Sequence, residues 1–418
     1  MNKKTSGGLI TAIDIGTTKI VAVIAQKNTR GIIDVVGIGQ HPSHGLKKGV
    51  IVNINATVDS IKAAMQEAQA MAGARIESAC VGISGGHIKS INSTGVVAIK
   101  SREVSQHDID RVIEAAKAIP IPKDQYILHV LPQYFRVDGQ EYVFDSLGMY
   151  GVRLESQVHI VTGAVASAQN IIKSCELAGL RVSDIVLEQL ASAAAVLTPA
   201  EQEMGVGILD IGGGTSDFAI YKDARIRHSK VIPIAGNHFT NDLAVGLHIP
   251  FSKAEELKKL YGSVSKDRIL ELKKNYLDIS LGYEGGTKTV ELSSLAEIIH
   301  FRAEEVFDLF LEEINQFRLR PLMPTGLVIT GGGSLLSGMQ ELASEKLGMA
   351  VRIGQPEILA ADVPYAIPDI LKSPIYATVY GLILHASGGC NFGDISATSD
   401  AVFARVLKRM RSWVYDLF

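Results

Sequence analysis

Two short stretches constrain this chain more than anything else in it. Leu9-Ile-Thr-Ala-Ile-Asp14-Ile-Gly16-Thr17-Thr18-Lys19-Ile-Val-Ala-Val-Ile24 and Val206-Gly-Ile-Leu-Asp210-Ile-Gly212-Gly213-Gly214-Thr215-Ser-Asp217-Phe-Ala-Ile-Tyr221 share one plan. An apolar run ends in Asp, a glycine turn and Thr follow, and a second apolar run begins. Each stretch predicts strand, tight turn, strand. Glycine lets the turn backbone approach a ligand closely, and successive N–H groups there form a nest for anions, phosphate above all. A carboxylate beside phosphates repels them unless a cation sits between, so Asp14 and Asp210 are read as holding hydrated Mg²⁺. A third turn, Gly326-Leu-Val-Ile-Thr330-Gly331-Gly332-Gly333-Ser334, again follows a strand. One such loop competes evenly with an ordinary Gly-rich hairpin in which Asp merely caps the turn. Two of them 196 residues apart (210 − 14), with a late glycine turn, predict two homologous halves clamping one nucleotide.

This layout resembles the actin, Hsp70 and sugar-kinase ATPases over nearly the whole chain. The fold class it implies is α/β, an actin-like two-lobed ATPase fold with two small inserted subdomains and a C-terminal amphipathic helix. Further segments narrow the resemblance. They are Val81-Gly-Ile-Ser84-Gly-Gly-His87-Ile, Leu131-Pro-Gln-Tyr-Phe-Arg136-Val-Asp138-Gly, Gly148-Met-Tyr-Gly151-Val-Arg153-Leu, Val231-Ile-Pro233-Ile-Ala-Gly236-Asn and Val351-Arg-Ile-Gly354. All are similar to segments of the FtsA family of bacterial cell-division proteins. That family usually carries a proline shortly before its Gly-Met pair, where this chain has Phe144-Asp-Ser146-Leu-Gly-Met.

The bulk numbers suit such a molecule. A chain of 418 residues, 47% hydrophobic and 20% charged, is globular and long enough for two or more cores. A net charge of −3 implies no general nucleic-acid binder. Cys80, Cys175 and Cys390 are scattered, which favours neither a disulfide framework nor a zinc site and fits a reducing cytoplasm. The basic N-terminus briefly resembles a signal peptide, but Asp14 interrupts the apolar run behind it. No stretch has the ~18 uninterrupted apolar residues of a spanning helix.

Residues 9–40 read as a meander, Val58–Met71 as a helix stopped by Gly73, and Ala79–Ile83 as a strand. The expected subdomains are 1–83 with 162–197, an inserted small one at 84–161, 198–234 with 301–385, and a second small one at 235–300. Within 84–161 one helix is expected near Gln106–Ala118; the first core resumes at Gly163, with a helix through Ala178. Val186–Leu197 begins as strand and becomes a small-residue helix suited to a hinge, as Ser373–His385 is by resemblance. Thr198–Glu203 is a polar crossing, Ala235–Gly286 reads as charged and helical, and Leu292–Phe317 as a long amphipathic helix.

Gly16, Thr17, Gly212, Gly213 and Thr215 are expected to offer N–H and hydroxyl groups to phosphate; Thr18, Gly214, Gly236 and Ser334 complete the candidate set. Lys19 is either a phosphate contact or a solvated lysine. Gly331, Gly332 and Gly333 should pass close to the adenosine. Glu255 and Lys258 share a helical face; in Hsp70-like proteins such a pair holds the ribose, and a plain surface ion pair is the alternative. Hydrolysis needs a group that orients the attacking water. Glu188 sits where the superfamily often keeps one, in a run that matches no catalytic pattern closely. The cofactors implied are ATP and Mg²⁺, with at most weak ATPase activity.

After His385 a Gly/Ser/Asn/Asp-rich stretch, 386–401, reads as a linker. In 402–418, Phe403, Val406, Met410, Trp413, Val414, Leu417 and Phe418 fall on one helical face, with Arg405, Lys408, Arg409 and Arg411 elsewhere around it. A basic amphipathic helix ending in Trp and Phe suits an anionic membrane surface; a helix docked on the protein's own core is the alternative. The family carries a membrane-targeting helix here. The resemblance also implies binding of the C-terminal tail of the tubulin-like protein FtsZ, in a groove near Leu295–Glu305 with Arg302 as the basic contact. It further implies self-association into filaments, contacts with other division proteins, and a place on the cytoplasmic face of the membrane at the septum. Two rivals share the fold: a small-molecule kinase and an actin-like pilus-assembly ATPase. The sequence shows no clear general base for the first.

Overall fold

The computed structural model describes residues 8–27, 33–140, 142–271, 275–280, 286–356 and 368–388. The 402–418 helix, and the linker from residue 389 on, lie outside the described residues. So does every membrane candidate: Arg405, Val406, Lys408, Arg409, Met410, Trp413, Val414, Leu417 and Phe418.

In chain order the elements are β1 (Leu9–Ile15), β2 (Lys19–Lys27), β3 (Ile33–Pro42), β4 (Leu46–Lys47), β5 (Val50–Ile51), α1 (Ile54–Ala72) and β6 (Ser78–Ile83). Next come β7 (Lys89–Ala98), α2 (Gln106–Ala116), β8 (Gln125–Val137), β9 (Arg153–Ala164), α3 (Val165–Leu177), β10 (Arg181–Leu187), α4 (Glu188–Val196) and α5 (Pro199–Met204). The second half holds β11 (Val206–Ile211), β12 (Ser216–Lys222), β13 (Arg225–Ile232), α6 (Gly236–Gly246), α7 (Phe251–Tyr261) and α8 (Lys266–Glu271). It continues with β14 (Tyr276–Ser280), β15 (Thr287–Glu291), α9 (Leu292–Gln316), β16 (Leu327–Thr330), α10 (Met339–Leu347), β17 (Val351–Ile353) and α11 (Ala377–Ala386).

The chain forms two compact units. The smaller comprises 91–120 and 129–160, with α2 and most of the sheet β7-β9-β8. A capping box starts α2: the Ser105 hydroxyl accepts from the Asp108 N–H, and Asp108 reaches back to the Ser105 N–H. Where the family usually has proline, the Asp145 carboxylate accepts from the Leu147 N–H at 3.1 Å and sets the turn.

The larger unit carries two five-stranded sheets, β10-β6-β1-β2-β3 and β13-β12-β11-β16-β17. Each has an antiparallel hairpin at its centre with parallel strands to one side. That repetition follows from the two matched sequence runs, whose strands are buried on both faces. The helix expected from Val58 begins earlier, at Ile54, because the Asn53 side chain caps the Ala56 N–H; Gly73, at φ 62°, stops it as expected. The polar crossing is the short helix α5, capped by Thr198 and Glu201, and Arg352 on β17 grips Glu201 at 2.6 Å.

One expectation fails locally. Residues 235–286 are not helical throughout: Tyr276–Ser280 is a strand paired with β15. Leu277 and Ile279 turn to one side there, a period of two that local charge density obscured. The expected subdomain boundary at 300/301 also falls inside α9, a continuous helix of 25 residues. Leu295, Ile299, Ala303, Val306, Phe307, Phe310 and Ile314 of α9 share one core with β11 and β12, where Phe218 meets Phe310 edge to face at 4.5 Å. Each fully buried Phe contributes about 1.5–3 kcal/mol. No helix of the described residues is long and apolar enough to cross a membrane.

Candidate functional site

The β1–β2 and β11–β12 turns meet at a single cavity of about 660 Å³ in the larger unit. Asp14 and Asp210 both line it, near the ends of β1 and β11. The two turns approach so closely that a Cβ on Gly213 would overlap the Thr18 hydroxyl, and one on Gly214 the Thr17 hydroxyl. A side chain at either position would have to displace Thr18 or Thr17.

Parallel pairing of β11 with β16 sets Asp210 beside Thr330 and so delivers the third glycine turn to the same place. Gly331 has φ +79°, and a Cβ there would strike Asp210 Oδ1. Gly332 and Gly333 line the cavity as well. Ser334 does not; it is buried, and its hydroxyl donates to the Gly331 carbonyl at 2.8 Å, bracing the turn.

Lys19 is not a solvated lysine. Its Nζ donates to the Ile375 carbonyl at 2.8 Å and lies 4.2 Å above the Tyr376 ring. Burial lowers its pKa to about 8, against the pull of Asp14 and Asp210. Glu255 and Lys258, joined at 2.7 Å, are only 19% and 11% exposed, so they are no ordinary surface pair. Lys258 also donates to the Gly236 carbonyl at 3.0 Å and the Thr240 hydroxyl at 2.8 Å, tying α7 to the start of α6. Gly236 in turn donates its N–H to the Gly212 carbonyl at 3.0 Å.

Four acids converge. Burial raises Asp14 to about 6, opposed by Lys19 and reinforced by Asp210. Burial raises Asp217 to about 7, countered by a hydrogen bond from Ser84. Burial also raises Asp210. Glu188 is pushed well above its ordinary value by burial and then by the charges of Asp14, Asp217 and Asp210. Hard carboxylate oxygens with elevated pKa values, beside two glycine turns of the kind that cradles anions, suit a hydrated divalent cation.

Sequence reasoning missed Asp217, Ser84, Ser192 and Thr378. Asp217 was findable, since the hairpin register sets it directly opposite Asp210. The other three come from distant segments and carried no local signal. Arg302 is elsewhere, on α9, where its guanidinium bridges Asp242 and Glu305.

A family model described as cell division protein FtsA matches residues 207–381, and one for the SHS2 domain inserted in FtsA matches 85–162. A cell division protein FtsA of Pseudomonas aeruginosa is 46% identical over 99% of both chains. Among solved structures, a PilM–PilN type IV pilus biogenesis complex superposes with TM-score 0.66 at 17% identity, covering 91% of this chain and 99% of that one. MreB 5 of Spiroplasma citri bound to AMPPNP superposes with TM-score 0.52 at 14% identity, covering 97% and 99%. These likenesses show the fold, which is actin-like. Identity at the level of the Pseudomonas protein shows more: the chain belongs to the FtsA family of cell-division proteins.

Proposed function

We propose that this chain is a nucleotide-switched membrane tether of the division septum. It binds Mg·ATP in the cleft, holds the FtsZ tail in a groove near Leu295–Glu305, and rests on the cytoplasmic membrane face through its C-terminal helix. From there it gathers FtsZ filaments and later division proteins, and it self-associates. The observation that carries the nucleotide reading is the convergence of three glycine turns and two aspartates on one cavity. The AMPPNP bound by an MreB of the same fold supports it.

Asp14 and Asp210 would hold Mg²⁺ through its water shell, and the ion would neutralise charge between them and the phosphates. The turns at Gly16–Thr18 and Gly212–Thr215 offer N–H and hydroxyl donors to phosphate oxygens. Glu255 and Lys258, braced from behind by the buried Thr240, form a polar wall suited to ribose hydroxyls. Burial and the charges of Asp14, Asp217 and Asp210 push Glu188 well above its ordinary value, which disfavours the carboxylate form a general base needs.

A pH dependence follows. Asp14 and Asp217 ionise at about 6 and about 7, and only carboxylates attract the cation. Affinity for Mg·ATP should therefore rise from pH 6 to 7.5, with proton release on binding. Above about 8, Lys19 loses its charge and affinity should fall. Calorimetry in buffers of different ionisation enthalpy measures both, and a flat profile would remove this cluster from the binding site.

For the partner surface, Arg302→Glu should weaken an acidic FtsZ tail peptide by on the order of tenfold while Mg·ATP binding stays intact. The exposed Phe301 beside it offers apolar area for the same peptide. Equal binding of the peptide by fluorescence anisotropy would put the groove elsewhere.

A further inference from the structure

Ser192 lies on α4 and Thr378 on α11, two helices that cross at close range. A Cβ on Gly381 of α11 would overlap the Ala191 carbonyl of α4, so at that point the helices touch backbone to backbone. One residue along α4 and one turn back along α11, both helices reach the same atom. Ser192 Oγ donates to Asp210 Oδ2 at 2.6 Å, and Thr378 Oγ1 donates to the same oxygen at 3.2 Å. The two hydroxyls lie 3.1 Å apart. All three side chains are buried.

Each hydroxyl has one proton. Ser192 spends its proton on Oδ2, and Thr378 spends its own on the same oxygen or on the Ser192 hydroxyl beside it. The other carboxylate oxygen, Oδ1, lies against Gly331, where a Cβ would collide with it. Asp210 is thus held from both sides: two hydroxyls orient Oδ2, and the bare Gly331 backbone leaves room for Oδ1.

We infer that Ser192 and Thr378 are the positioning residues of the metal-binding Asp210. The inference rests on the Mg·nucleotide reading of the cleft. One comes from each crossing helix, so the orientation of the carboxylate depends on how α4 and α11 cross. A cation drawing on Asp210 then favours one crossing of the helices over others, and the crossing in turn sets the affinity for the cation. Hydrogen bonds to charged groups are among the stronger ones, and second-sphere partners of metal ligands commonly matter ten- to hundredfold.

The test is ADP binding to full-length protein with Mg²⁺ and with EDTA, for wild type, Ser192→Ala, Thr378→Val and Thr378→Ser. Ser192→Ala and Thr378→Val should lose about tenfold in affinity with Mg²⁺ and little in EDTA. Thr378→Ser keeps the hydroxyl and should restore wild-type affinity, which a packing role for the Thr methyl would not. Thr378→Val is nearly isosteric, so that pair decides the matter even if Ser192→Ala folds poorly. Wild type that binds ADP better with Mg²⁺, alongside Thr378→Val that does so equally, overturns the positioning role alone. Wild type indifferent to Mg²⁺ overturns it together with the metal reading beneath it.

Discussion

Asp210→Ala is expected to lower affinity for Mg·ATP roughly a hundredfold, equivalent to about 3 kcal/mol, while in EDTA it binds ATP as well as wild type or better. The sign change with metal is the point. With Mg²⁺ present the variant loses an anchor for the cation; without it, removing a buried carboxylate relieves repulsion toward the phosphates. Gly213→Val should behave differently. Its Cβ would overlap the Thr18 hydroxyl, and its branches would extend into the space between the two turns. Thr18 must be displaced and the phosphate cradle is filled, so affinity should fall by a similar or larger factor with metal and without it. Calorimetry on both variants in both buffers separates a lost cation anchor from a blocked cradle. Unchanged Mg·ATP affinity in Asp210→Ala would sink the phosphate reading.

The second large effect is expected at the C-terminus. Deleting 402–418 should leave a folded, ATP-binding protein that no longer sediments with anionic vesicles. A helix of those 17 residues is ~25 Å long at 1.5 Å per residue, and too basic to span, so it would lie flat. Its four basic residues contribute at most ~4 kcal/mol near an anionic surface, less in salt. Apolar burial by Trp413, Leu417 and Phe418 must supply much of the rest. A single such anchor is marginal, and a filament presenting many of them gains by avidity. Trp413 is the only tryptophan in the chain, so its fluorescence reports on this helix without labels. It should shift to the blue with vesicles, less at high salt. A Trp413 already blue-shifted and protected from quencher without lipid would mean a helix docked on the protein.

The parts of the site that were readable from sequence are those written locally. Asp14 and Asp210 each stand at the end of an apolar run and before a glycine turn, and the turn chemistry needs only neighbours in sequence. The third turn was readable for the same reason; its pairing through Thr330 beside Asp210 then followed from the parallel sheet. Ser192 and Thr378 stood outside that reach. They are 186 residues apart, on helices whose small residues announce close packing but not which hydroxyl meets which acid. Lys19 was ambiguous because its solvation depends on Ile375 and Tyr376, residues from the far end of the chain. The β14–β15 hairpin was hidden by composition: one buried side chain in each strand, Ile279 and Val290, carries its inner face.

The length of α9 bears on how force travels through the second half. Twenty-five residues make a rod of roughly 37 Å. Phe307 and Phe310 embed its later turns among the strands that carry Asp210, and Arg302, midway, clasps Asp242 of α6. The other end of α6 starts at Gly236, on the cavity wall. Rod and strut thus enclose a braced frame with the cleft at one corner. Force on the early turns of α9 would therefore be shared between the Arg302–Asp242 clasp, which leads along α6 to the cavity wall, and the buried Phe307 and Phe310, which lead to the strand that carries Asp210.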